Sequence, residues 1–212
     1  MTMRFGKFIA QTAGFEGVGA ATRPLRLVIA AAAALLVAAG PANAAGTWNT
    51  TLKARDFNGD GLVDAYYDTV LNITWLYNFQ PVGSPGFVTW TRANSWAATL
   101  NIFGVTGWRL PTIDPNVCDW YWEPQSCALG PNGKKSELLH LMYATLGGQG
   151  QTGPFTNGLP VNDGHWYGTQ AADMPDRAWG TFWYAGHANK YLKTMKLFPW
   201  PVRNGDVGTP LP

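Results

Sequence analysis

The sequence contains few of the side chains on which most enzymes and metal sites depend. Among its 212 residues there are 2 cysteines and 3 histidines, and charged residues make up only 13%. It has no G-x-S-x-G, H-E-x-x-H or C-x-x-C motif, which are signatures of serine hydrolases, zinc proteases and thioredoxin-like redox sites. We therefore predict no catalytic residues and no obligatory cofactor.

The first 44 residues have the pattern of an export signal. Four basic residues precede an apolar run of 13 residues, Leu27–Ala39, and Ala42-Asn43-Ala44 forms an A-x-A cleavage site. The run is shorter than the roughly 20 residues of a membrane-spanning helix, although an uncleaved anchor is the alternative. We expect cleavage before Ala45 and a secreted or periplasmic protein, residues 45–212, that keeps no membrane anchor.

Removal of this leader changes the charge balance. The precursor carries a formal charge of +2, whereas residues 45–212 carry 11 basic and 12 acidic side chains, a net charge of −1. Because nucleic-acid binding requires a basic face, we expect no nucleic-acid partner. A mature chain of this length suits one domain, which would bury roughly 70% of its unfolded surface.

The chain after residue 44 is rich in tryptophan and poor in charged residues. All 11 tryptophans lie after residue 44, in a chain with 25 glycines and 15 prolines. This composition favours a loop-rich fold whose core consists of a few large aromatic side chains. Exposed tryptophan faces that stack on sugar rings are the alternative for some of them.

The residue patterns predict an α+β fold. Apolar residues at helical spacing predict a first helix over Thr89–Leu100, and Ser136 is a suitable N-cap for a second helix that ends at Gly147. Alternating or β-branched segments predict strands. These are Val63–Leu76, Trp108–Leu110, His165–Thr169, Ala178–Ala185, Lys190–Leu197 and Trp200–Arg203. Helices followed by antiparallel strands are typical of the α+β class.

One segment has the spacing of a calcium loop. Oxygen-bearing side chains stand at positions 1, 3, 5 and 9 of Asp56–Asp64, with glycine at position 6 for the sharp turn. Position 12 is Tyr67 instead of glutamate, and Asp68 is the expected substitute. The predicted ligands are Asp56, Asn58, Asp60, the carbonyl of Leu62, Asp64 and Asp68. A bound calcium ion would be structural, and the alternative is a polar β-turn.

Four motifs occur in an order that resembles a known family. They are Tyr67–Leu76 (YDTVLNITWL), Gly107–Thr112 (GWRLPT), Ser136–Leu141 (SELLHL) and Pro201–Val207 (PVRNGDV). Together they resemble the family called DUF1566, or Lcl C-terminal domain family, of secreted and surface-exposed bacterial proteins. The resemblance implies a C-type-lectin-like domain with two helices and a mostly antiparallel, loop-rich sheet, related in fold to sulfatase-modifying factors. It would span residues 66–208, after an arm at 45–65 and before a tail at 209–212.

Cys118 and Cys127 are predicted to form a disulfide. Export places them in an oxidising compartment, and the eight residues between them allow a loop to close. Many members of the family that the chain resembles carry a cysteine pair in this same insertion. Such a bond would stabilise the fold by about 2–3 kcal/mol.

The GWRLPT motif has a predicted structural role. Arg109 stands between apolar residues, and a buried guanidinium must be paired, so we expect it to bind loop carbonyls or an aspartate. Arg203 invites the same interpretation, and a ligand-binding arginine is the alternative for both. The residues assigned to this framework are Trp108, Arg109, Leu110, Pro111, Thr112 and Arg203.

The predicted function is recognition of a surface glycan or a partner protein by a non-catalytic module. The binding face is expected on three long loops, Phe79–Thr89, Ile113–Lys135 and Gly147–Trp166. Trp120, Tyr121 and Trp122 are the candidate ligand-binding side chains, with packing beneath their loop as the alternative. Two other functions stay open: a surface or matrix component that self-associates, and a glycan-active or formylglycine-generating-type enzyme. The three aspartates that an enzyme would use are Asp163, Asp173 and Asp176.

Overall fold

The structure, a computed structural model, describes residues 46–78, 84–115, 135–148, 150–155, 163–182 and 187–212. These residues belong to one compact unit. Several predictions fall outside the described residues: the leader, the Cys118–Cys127 disulfide, and Trp120, Tyr121 and Trp122. The predicted binding loops are described only in part.

Two antiparallel sheets account for the strands of the described residues. The larger has the order β4-β8-β3-β2-β1-β9, and the smaller has the order β5-β6-β7. In chain order the strands are β1 (Leu52–Asp56), β2 (Ala65–Asp68), β3 (Ile73–Leu76), β4 (Trp108–Arg109), β5 (Gly164–Gln170), β6 (Arg177–Phe182), β7 (His187–Leu192), β8 (Val202–Asn204) and β9 (Thr209–Pro210).

Three short helices accompany these sheets in the described part of the chain. They are α1 (Trp48–Thr51), α2 (Trp90–Thr99) and α3 (Glu137–His140), and α3 continues as a π-helical turn over Leu141–Thr145. The chain is therefore an α+β protein with mostly antiparallel strands, as the sequence predicts. Within the described ranges, every helix falls short of the length and apolar character that a membrane span requires.

The second helix is less regular than its sequence suggests. The Ser136 hydroxyl caps it by accepting the N–H of Leu139 at 3.2 Å. After one α-helical turn the pattern changes, because the N–H of Leu146 bonds to the carbonyl of Leu141, five residues earlier. The predicted inner face, which includes Leu138 and Thr145, is buried.

The six-stranded sheet extends beyond the predicted domain limits. β1 precedes residue 66 and pairs with β2, in a register that places Leu52 opposite Asp68 and Arg55 opposite Ala65. β9 follows residue 208 and pairs with β1 at Arg55 and Asp56. The predicted arm and tail therefore supply strands to the sheet itself.

The late strands are shifted from their predicted positions. β6 begins one residue earlier than expected, and β7 covers His187–Leu192 instead of Lys190–Leu197. β7 pairs with β6 along its whole length, and the chain then turns at residues 193–195. Backbone pairing with β6 sets these bounds more strongly than local residue preference.

Tryptophan side chains form much of the core. Trp75, Trp166, Trp179 and Trp200 are each at most 1% exposed, and the rings of Trp75 and Trp200 lie 5.2 Å apart. The largest cluster packs the six-stranded sheet, the α3 region and the β5–β6 pair together. For these four tryptophans, the interpretation as core residues is correct.

Candidate functional site

Arg109 is the centre of the GWRLPT framework. Its Nη1 and Nη2 donate to Glu137 Oε2 and Oε1, both at 2.8 Å, and Nη1 also donates to the Leu110 carbonyl at 3.0 Å. Asn204 Oδ1 accepts from the same guanidinium at 2.6 and 3.0 Å. Arg109 therefore binds a carbonyl and a carboxylate, and the carboxylate belongs to a glutamate instead of the expected aspartate.

The other framework residues add to the contacts between Arg109 and Glu137, which we call the Arg109–Glu137 joint. The N–H of Thr112 donates to Glu137 Oε2 at 2.6 Å, and the N–H of Glu137 donates to the Thr112 carbonyl at 3.0 Å. Trp108, Leu110 and Pro111 are buried. Arg203 donates from Nε to the Thr106 carbonyl at 2.7 Å. These contacts hold β4 against β8 and against the start of α3.

The predicted calcium turn is closed by its own hydrogen bonds. The Asp56 carboxylate accepts the N–H groups of Gly61, Gly59 and Asn58 at 2.8, 2.7 and 3.0 Å, and these bonds, Gly61 first, lower its pKa. Asp60 accepts the N–H of Leu62 at 2.8 Å and the side-chain amide of Asn58 at 2.9 Å. No three His, Cys, Asp or Glu side chains of the described residues form a metal-binding group.

Asp68 does not belong with this turn, so its assignment as a sixth ligand is wrong. It lies at the opposite end of β2 from Asp64, and four residues of extended strand span about 13 Å. Its carboxylate is fully buried and accepts the N–H groups of Val70 and Leu71 at 2.9 and 3.0 Å. Burial raises the pKa of Asp68.

An open cleft of about 350 Å³ lies where β2 begins and β3 ends. The described residues that line it are Val63, Asp64, Leu76, Tyr77, Asn78, Asn101, Ile102 and Phe103. The register that pairs Ala65 with Leu76 brings Asp64 beside Tyr77, whose N–H donates to the Asp64 carbonyl at 2.9 Å. The turn after α2 contributes Asn101, Ile102 and Phe103 to the lining.

Phe103 occupies a strained position in that turn. Ile102 and Val105 exchange two backbone hydrogen bonds of 3.0 and 2.9 Å, and both residues between them have positive φ, 50° at Phe103 and 87° at Gly104. Such two-residue turns favour Asn, Asp or Gly at these positions. Phe103 is nevertheless 60% exposed, so its ring gains little from burial within this chain.

Asp64 links the aspartate-rich turn to the cleft. Its Oδ2 accepts the N–H of Phe57 at 2.7 Å, whereas Oδ1 has no hydrogen-bond partner among the described residues. Burial raises the pKa of Asp64, and the nearby charges of Asp60 and Asp56 raise it further. The cleft therefore contains a partly desolvated acceptor oxygen in a negative local field.

Two of the aspartates proposed for an enzymatic alternative, Asp173 and Asp176, do not line this cleft. Asp173 pairs with Lys190 at 2.7 Å, which lowers the pKa of Asp173, and Asp176 is exposed in the turn before β6. His165 is fully buried beside the rings of Trp200 and Phe198. Its burial lowers the pKa of His165 to about 3, so the imidazole is neutral at pH 7.

The sequence interpretation missed this cleft. Phe103-Gly104 is recognisable as the break after the first helix, but an aromatic residue in a turn gives no periodic signal. The sequence predicts Asp64 only as a calcium ligand.

Comparison of the chain with family models, curated proteins and solved structures finds no match.

Proposed function

We propose that this protein is an exported, non-catalytic binding module that recognises a surface glycan or a partner protein through the cleft beside Phe103. We further propose that it belongs to the DUF1566/Lcl C-terminal-like family and has a C-type-lectin-like fold. The α+β architecture supports this assignment, as does the Arg109–Glu137 joint between two of the four family-like motifs.

The exposed, strained aromatic ring of Phe103 carries the functional proposal. A left-handed conformation costs a non-glycine residue about 1–2 kcal/mol. Asparagine or glycine would form the same turn at lower cost. Strained residues concentrate at functional sites, and an aromatic face is suited to stacking on a ligand. A ligand contact explains why phenylalanine occupies this position.

A structural calcium ion in the Asp56–Asp64 turn is part of the proposal. The ligands would be Asp56, Asn58, Asp60, Asp64 and the carbonyl of Leu62, without Asp68. Asp56 and Asp60 already raise the pKa of Asp64, and a cation would relieve this repulsion. Because Asp64 also lines the cleft, an ion in the turn would fix one wall of the binding site.

The test is binding of the exported protein to a broad glycan array in millimolar calcium and again in EDTA. Phe103→Asn is the site variant, and Val70→Asn is the control because Val70 is an exposed apolar residue of another turn. The proposal predicts selective binding that Phe103→Asn abolishes and Val70→Asn preserves. Loss of binding in EDTA would support calcium, and equal binding by both variants would refute the site.

Self-association is a second candidate, and a separate surface favours it. Met174, Leu192 and Met195 are 41%, 45% and 39% exposed, and the last two line a shallow groove with Tyr191. Exposed apolar patches of this kind often mark protein contacts. A structural component would show concentration-dependent mass in light scattering, and Leu192→Asp would abolish it while Phe103→Asn would not.

A further inference from the structure

We infer that the cleft binds an uncharged sugar ring and discriminates against sulfated or carboxylated glycans. This inference rests on the proposed function, because it names the ligand class of the same site. Three properties of the cleft carry it: the sign of its charge, the arrangement of its polar atoms, and its apolar surface.

The charge of the cleft disfavours anionic ligands. Asp64 is the charged member of its described lining, which includes no lysine, arginine or histidine. The adjoining turn carries three carboxylates, those of Asp56, Asp60 and Asp64, which outweigh the +2 charge of the calcium ion proposed for it, so this wall is negative with or without the ion. A sulfate or carboxylate in the cleft would be repelled and would have no cation to replace its lost hydration.

The polar atoms of the cleft match the hydroxyl groups of a sugar. Asp64 Oδ1 is an acceptor without a partner among the described residues, and its other oxygen is fixed by the Phe57 N–H. Each carboxylate oxygen has two lone pairs, so Oδ1 can bind the proposed calcium ion and still accept from a ligand hydroxyl. Asn101 Oδ1 accepts the N–H of Gly104 at 2.8 Å, which leaves its amide NH₂ as a donor. A hydroxyl group both donates and accepts, so neighbouring hydroxyls of one ring satisfy both side chains.

The apolar part of the cleft suits the C–H face of the same ring. Leu76, Ile102 and Phe103 contribute apolar surface to the lining, and the Phe103 ring is the most exposed of the three. The cleft volume of about 350 Å³ is near the lower end of the roughly 300–1,000 Å³ typical of small-molecule sites. This space fits one or two sugar rings better than a folded protein surface.

The experiment compares immobilised neutral oligosaccharides with sulfated and uronic-acid glycans at fixed ionic strength. The site variants are Asp64→Asn and Asn101→Asp, which retain the oxygens that accept from Phe57 and Gly104. Asp176→Asn is the control, since it removes one exposed negative charge outside the cleft. We expect wild-type and control proteins to bind neutral glycans with equal affinity and to bind anionic glycans at least tenfold more weakly.

The variants separate the ligand class from the proposed site. Asp64→Asn should weaken neutral-glycan binding at least tenfold, because a charge-assisted hydrogen bond is lost, and Asn101→Asp should weaken it through loss of the donor. Binding that is stronger for anionic glycans, and that Phe103→Asn abolishes, would overturn this inference and retain the proposed function. Binding that Phe103→Asn leaves unchanged would overturn both, as would no binding by folded protein to any glycan or protein partner.

Discussion

Arg109 and Glu137 form a bidentate ion pair, with both N–O distances at 2.8 Å. This pair connects β4 to the first residue of α3. Glu137 is also the acceptor for the Thr112 N–H, so one carboxylate fixes the whole Trp108–Thr112 segment. The GWRLPT motif is thus part of the scaffold, and the binding chemistry that we propose lies at the Phe103 turn, which precedes the motif in the chain.

Removal of this joint should destabilise the protein strongly. Glu137→Ala leaves the Arg109 guanidinium and the Thr112 N–H without their carboxylate in a mostly buried site, which should cost about 2–4 kcal/mol. Urea unfolding of the wild type, each single variant and the Arg109→Ala/Glu137→Ala pair gives the coupling energy. A coupling below about 0.5 kcal/mol, as for an exposed pair, would show that the joint is not a principal support. The Lys190–Asp173 pair, whose aspartate side chain is 55% exposed, serves as the comparison.

The sequence predicts helices and strands well where one local pattern determines them. The apolar residues at helical spacing, which include Ala93 and Ala97, predict α2 to within one residue of its observed limits. Ser136 is the N-cap of α3, as its residue type predicts. The π-helical turn after His140 was not predictable, because its bonding pattern has no residue preference distinct from that of an α-helix.

The candidate site was not predictable for a different reason. Asp64, Tyr77 and Asn101 are distant in sequence and share a cleft only through the β2–β3 register and the turn after α2. The prediction that Asp68 is a calcium ligand failed for the opposite reason. It is close to Asp64 in sequence, yet an extended strand carries it to the far end of the sheet. Sequence spacing indicates ligand geometry only where the chain is a compact loop.

Replacement of Phe103 should raise stability while it removes binding. Asparagine accepts the left-handed conformation more readily, so Phe103→Asn should increase the free energy of unfolding by about 0.5–1.5 kcal/mol. The ring loses few internal contacts because it is 60% exposed. Urea unfolding and glycan binding on the same preparation test both effects. A destabilised variant would mean that the ring is needed for packing, which would remove the argument from strain.

Calcium should stabilise the protein through the Asp56–Asp64 turn. Extracellular calcium modules bind with Kd of about 0.1–1 mM, so 10 mM calcium should add about 1.4–2.7 kcal/mol to the free energy of unfolding. Asp60→Asn keeps an oxygen to accept the Leu62 N–H and should abolish this gain. Thermal unfolding in calcium, in magnesium at equal ionic strength and in EDTA measures it. An equal shift in Asp60→Asn and Asp176→Asn would exclude the turn as the site.

Acid should destabilise the fold through His165. Burial holds the pKa of His165 at about 3 in the folded protein, whereas an unfolded histidine has a pKa of about 6.5. Between these values only the unfolded chain takes up the proton, so stability that is complete above about pH 6.5 falls by up to about 1.4 kcal/mol per pH unit as the pH decreases. Asp68 acts in the opposite direction, because burial raises its pKa and its protonation in acid relieves the cost of a buried charge.

His165→Phe isolates the histidine from these opposing groups, since it keeps an aromatic ring beside Trp200 and Phe198 and has no proton to bind. The comparison is the slope of the unfolding free energy against pH, measured by urea titration from pH 4 to 7.5. The variant should have a shallower acid slope than the wild type, whatever its stability at pH 7.5. If both proteins lose stability at the same rate below pH 6.5, then His165 is protonated in the folded state, and its environment must be more polar than a core position packed between aromatic rings.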